Sequence, residues 1–103
     1  MRLGVVVTDK AYGAAVIELI RAAHRRGWSI RCFLTDSGVR LLAEPEFRAL
    51  AEDGTASTAA CELSIERYGG DMPGLLNPRS QLIIGGQYQD AELVHQTDRV
   101  LVF

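Results

Sequence analysis

Cysteine is scarce in this sequence: Cys32 and Cys61 are the only two in 103 residues. The 28 residues between them match no metal-ligand spacing, and two cysteines build no disulfide framework. No metal is expected, and a reducing, cytoplasmic setting is. Lysine is scarcer still, with Lys10 alone. Lys and Arg together number 11 against 13 Asp and Glu, interspersed to a net charge of −2, so there is no basic stripe and no direct nucleic-acid binding is expected. No apolar run approaches the roughly 18–20 residues of a membrane span, and no membrane is expected as a partner. MRLGVVVTD lacks a small-residue cleavage site and reads as a first strand rather than a signal peptide. There is no G-x-G-x-x-G or Walker A pattern, so nucleotide binding has no motif behind it and no cofactor is expected. Internal repeats and low-complexity tracts are absent. What is present, 48% hydrophobic and 23% charged residues, suits one globular domain over residues 1–103.

Leu3–Thr8 is a β-branched apolar run that predicts a strand buried on both faces. Tyr12–Arg26 has helical spacing, with Val16, Ile17, Ile20 and Ala23 on one face and Gly27 as the C-cap. Trp28–Leu34 predicts a second strand, after which Asp36 or Ser37 caps a short helix through Leu42. Pro45 suits the first turn of a helix at Glu46–Glu52, closed near Gly54. Thr55–Ala60 is alanine-rich and has low strand propensity, yet the alternation of elements requires a strand there. Glu62–Tyr68 predicts a short helix ended by Gly69-Gly70, and Asp71–Ser80 a loop. Gln81–Ile84 predicts a strand, Asp90–Gln96 a helix and Arg99–Phe103 a last strand.

This alternation predicts an α/β fold: a three-layer α/β/α sandwich around a five-stranded, mainly parallel sheet with right-handed crossovers. Ligands in such sheets bind beyond the carboxyl ends of the strands. Four loops gather at that edge: Thr8–Gly13, Thr35–Gly38, Ala60–Glu62 and Gly85–Asp90. Cys61 stands in the third.

A thiol is mostly protonated at neutral pH, and a helix N-terminus favours its anion through unpaired N–H groups. Cys61 as N-cap or first residue of the helix at Glu62–Tyr68 receives that help; Glu62 and Glu66 oppose it. Cys32, inside an apolar strand, reads as an inert core thiol. Cys61 and Arg67 satisfy C-x5-R, the spacing of phosphatases and rhodanese-type sulfurtransferases. CELSIER, however, brings two glutamates and no glycine to a loop that must wrap an oxyanion, and on a regular helix Arg67 falls well around the cylinder from Cys61. His24 and His95 read as surface or helix-end residues. Asp9 and Asp36 follow successive strands, where cap and turn roles account for them. A phosphoacceptor receiver domain wants an aspartate where Cys61 stands and a lysine after the fifth strand, where the chain has ended; Lys10 is the sole lysine.

Several pieces together resemble the DsrE/DsrF-like family of small sulfur-relay proteins. They are Tyr12-Gly13 opening a helix, CFLTDSGV at 32–39, Cys61-Glu62-Leu63-Ser64 opening a short helix, Leu82–Gly86, and the Asp-x-Val-x-x-Phe ending of Asp98 to Phe103. The resemblance implies an α/β/α domain assembling as a homo-oligomer, trimer or hexamer, with sulfane sulfur carried as a persulfide on Cys61 and exchanged with donor and acceptor proteins. Thr8, Asp9, Tyr12, Asp36, Ser37, Glu62, Gly85 and Gly86 would line the pocket. The alternative expectation is a non-catalytic oligomeric binding or assembly module with an inert Cys61, suggested by Met72, Leu75 and Leu76 in the 71–80 loop.

Overall fold

The computed structural model describes residues 1–69 and 82–103. Strand β1 (Arg2–Val7) leads through a 3-10 turn at Lys10–Tyr12 into helix α1 (Gly13–Arg25). Then come β2 (Ser29–Leu34), a 3-10 segment at Asp36–Ala43, α2 (Pro45–Glu52) and β3 (Ala56–Cys61). The short helix α3 (Glu62–Ser64) widens into a π-type turn at Ile65–Gly69. β4 (Ile83–Gly85), α4 (Gln87–Gln96) and β5 (Arg99–Val102) complete the chain. The 71–80 loop and Gln81 lie outside the described residues.

The five strands form one sheet in the order β4-β3-β2-β1-β5, every pairing parallel. Because side chains alternate across a strand, register fixes what each face carries. Val5, Cys32 and Thr58 stand side by side on one face, which α1 and α2 cover through Val16, Ile20, Phe47 and Ala51. Val6, Phe33 and Ala59 share the other face, where Leu93 of α4 packs on Val6, Phe33 and Cys61. The architecture is therefore α/β/α, with the smaller core under α4.

Local chemistry accounts for the element ends. The Asp9 carboxylate accepts the Ala11 N–H at 2.9 Å and starts the first turn. α1 buries Gly13, Val16, Ile17, Ile20 and Ala23 at helical spacing and stops where Gly27 takes φ +76°, a left-handed conformation that glycine enters freely. Pro45 occupies the first turn of α2. β3, of low propensity, holds its place because small side chains fit between β2 and β4 in a closely packed sheet, with Ala56 and Ala60 fully buried.

Most element ends differ from expectation by one residue, β3 running Ala56–Cys61 rather than Thr55–Ala60, and the short helix expected to be capped by Asp36 or Ser37 is the 3-10 segment Asp36–Ala43 with Thr35 as its N-cap. Three further differences lie at α4, β4 and α3. α4 begins at Gln87 rather than Asp90, because the Gln89 side chain returns to accept the Gly86 N–H at 2.9 Å and closes the first turn early. β4 is Ile83–Gly85, one residue further along than Gln81–Ile84 at its end, since Gly85 pairs with Cys61. The helix expected over Glu62–Tyr68 changes pitch at Ile65.

Candidate functional site

Cys61 is at once the last residue of β3 and the N-cap of α3, with extended backbone at φ −72°, ψ 120°. Its side chain projects to the α4 face. One flank touches the small core of Val6, Phe33 and Leu93. The other lines a cavity of about 530 Å³ shared with Thr35, Asp36, Ser64, Arg67 and Gln87. The residue is 5% exposed, so the thiol is recessed and is not sealed in hydrocarbon.

The walls follow from two neighbouring strand ends. β2 pairs with β3 up to Leu34↔Ala60, so Thr35 and Asp36 emerge beside Cys61. Asp36 takes φ +50°, a left-handed conformation that aspartate tolerates better than most residues. Its N–H donates to Ser64 Oγ at 2.8 Å, and Thr35 Oγ1 lies 3.3 Å from the same oxygen. Ser64 is 7% exposed, one of the few buried polar side chains, and this strap satisfies it. Arg40 reaches across from the 3-10 segment, donating from Nε to the Tyr68 carbonyl at 3.0 Å and lying over the Tyr68 ring. The π-type turn is thereby held against the cavity.

The two cysteines are tuned in opposite directions. Complete burial in the large core pushes the Cys32 thiol up to about 12. At Cys61 desolvation also acts upward and is the largest single influence. The Ser64 hydroxyl and N–H, the Leu63 N–H and the Thr35 hydroxyl together outweigh it, and the thiol is lowered from 9.0. No N-cap hydrogen bond of strict geometry forms to the neutral side chain. These groups act as donors to the anion, which is the species that reacts.

Of the residues expected to line the pocket, Asp36 joins Cys61 in the cavity. Gly85 pairs with Cys61 across the sheet, and Gly86 is the N-cap of α4, but neither is among the described lining residues; Gln87 takes that place. Glu62 is exposed and is not among the described lining residues. Thr8, Asp9, Tyr12 and Ser37 gather elsewhere. Ser37 Oγ accepts the Lys10 N–H at 3.2 Å and donates toward Asp9, Thr8 bonds the Phe103 carbonyl, and the Tyr12 ring sits 6.2 Å from that of Phe103. The physical reason is strand order: β1 lies two strands from β3, about 10 Å at the usual strand spacing. The chain reverses direction across the sheet at β1, where a ligand crevice is usual, and Phe103 occupies that position.

Arg67 is a correction. It lines the same cavity as Cys61, and the helix is not regular there, since α3 gives way to a π-type turn at Ile65. Glu66 lines it too, so the lining carries both signs of charge. Ser64 and Thr35 had no sequence signal as site residues, since their roles arise from contact between segments 29 residues apart. Among the described residues, no group of three or more His, Cys, Asp or Glu is placed to hold a metal ion, and no helix is long and apolar enough to cross a membrane. No protein-family model matches the chain, and no curated protein matches it.

Proposed function

We propose that the chain is a small sulfur-relay protein of the kind its DsrE/DsrF-like resemblance implies, carrying sulfane sulfur as a persulfide on Cys61. The supporting observation is the thiol at the end of β3, recessed in a cavity and lowered by four hydrogen-bond donors despite its burial. The Cys61 thiolate attacks the outer sulfur of a donor persulfide. The donor S–S bond breaks, the donor leaves as a thiolate, and a Cys61 persulfide forms with no net oxidant or reductant. A partner thiolate then attacks the outer sulfur and releases Cys61 as its thiolate. The donors around Sγ favour the thiolate that attacks in the first step and leaves in the second. Cytoplasmic donor and acceptor proteins and a homo-oligomeric assembly belong to the same proposal. Incubation with a persulfide donor followed by mass spectrometry tests it. A gain of one sulfur is expected in the parent chain and in Cys32→Ser and not in Cys61→Ser; a gain that survives Cys61→Ser, or none at all, rejects it.

A second reading, a non-catalytic assembly module, draws on a different observation. Ile83, Tyr88, Val94, Leu101 and Val102 are large apolar side chains left 44–74% exposed around α4 and the two edge strands. It predicts an oligomer whose assembly is indifferent to Cys61→Ala and a Cys61 that resists alkylation in the native state.

A further inference from the structure

The central strands of a parallel sheet covered on both faces usually read as unbroken apolar runs. β2 and β3 depart from that at their N-terminal halves. Register places Arg2 beside Ser29, and Gly4 beside Arg31 beside Ser57, so all these residues face the α4 side in two adjacent rows. The result is a polar floor where apolar packing would be expected. It opens at the end of the sheet opposite Cys61 into a cavity of about 690 Å³, which Trp28 and Thr55 also line. No carboxylate is among its described lining residues. Glu92 forms a loose ion pair with the Arg31 guanidinium at 3.8 Å, too far for a hydrogen bond, and that guanidinium makes no side-chain hydrogen bond among the described residues. Arg2 engages Asp98 through one nitrogen at 3.2 Å and keeps its other donors.

The geometry points to this cavity as a binding site for the phosphate group of a small phosphorylated ligand. Two arginines and the hydroxyl-bearing residues Ser29, Thr55 and Ser57 line one space, and guanidinium forks match tetrahedral oxyanions two donors at a time. The volume exceeds that of free phosphate and lies in the range that holds nucleotide-sized ligands. Trp28, with the Arg26 guanidinium over its ring at 5.7 Å from the centroid, lines the same space and offers an aromatic wall for the rest of the molecule. No linear motif announces the site, because it is assembled by strand register.

Trp28 is the only tryptophan, so its fluorescence reports occupancy directly. The full chain is titrated with inorganic phosphate, with AMP and with adenosine. A saturable change is expected with AMP, with phosphate, or with both, and not with adenosine; which of the two binds more tightly distinguishes a phosphoester from free phosphate. Arg31→Gln should weaken binding about tenfold or more, as expected for losing charge-assisted hydrogen bonds, and Ser57→Ala should weaken it less. Thermal melts confirm that both variants fold, and Lys10→Ala, at the far edge of the sheet, should bind as the parent does. The proposal is overturned if neither phosphate nor AMP binds at millimolar concentration, if adenosine equals AMP, or if both Arg31→Gln and Ser57→Ala bind normally.

Discussion

Replacing Gly38 with alanine adds one methyl group against the backbone of β1. A Cβ there would press on the Val7 carbonyl oxygen, with the Val7 carbonyl carbon at 2.8 Å and Val7 Cγ1 at 3.3 Å. Backbone cannot swing aside as a long side chain does. The same carbonyl accepts the Thr35 N–H at 3.0 Å, and Gly38 donates to the Thr35 carbonyl at 3.0 Å. Relief of the clash therefore stretches the hydrogen bonds that seat Thr35 beside Cys61. Overpacking of this kind costs roughly 1–3 kcal/mol, and one weakened hydrogen bond about 1 kcal/mol. Gly38 lacks a positive φ, so alanine recovers roughly 0.4–1 kcal/mol by restricting the unfolded chain. The balance is a loss of about 2 kcal/mol, or roughly 10 °C in Tm for a chain of this size. Urea denaturation at pH 7 measures it, and an unchanged m-value would assign the effect to the native state. A variant as stable as the parent would refute the close approach of Gly38 to β1.

Two further variants test other contacts. Ser64→Ala removes the leading donor to the Cys61 anion, so its thiol should titrate at higher pH and alkylate more slowly at neutral pH; an unchanged rate–pH profile would show that Ser64 only straps β2 to α3. Asp98 is held below 3.8 by the Arg2 N–H and guanidinium, so its contribution to stability is present above the unfolded carboxyl's range and lost as pH falls through the lower folded value. Asp98→Asn should therefore flatten the acid limb of stability below about pH 4, read by urea denaturation at several pH values, and an identical limb would contradict the pairing.

The layered fold was legible because its signals are local and periodic. β1 and α1 carry their burial in the spacing of valines and isoleucines, and β3 could be inferred from alternation although its residues favour no strand. The position of Cys61 as a strand end and helix cap was equally legible, being a matter of adjacent residues. Its surroundings were not. Strand order separates Thr8 and Tyr12 from Cys61 by two strands, and nothing in the linear pattern states that order. Ser64 meets Asp36 only after the β2–β3 crossover closes, and Arg67 lies beyond a π-type turn that regular 3.6-residue periodicity does not describe. The polar rows at Arg31 and Ser57 likewise appear only once the register of three strands is known.

Native-state alkylation of the two cysteines across pH, resolved by mass spectrometry, tests most directly the claim that donors at the β3 end activate one thiol while burial silences the other. Cys61 should label with a midpoint below 9.0, and Cys32, raised to about 12, should stay unlabelled until the fold is lost. Labelling of Cys61 with a midpoint at or above 9.0, or no faster than that of Cys32, would contradict the account.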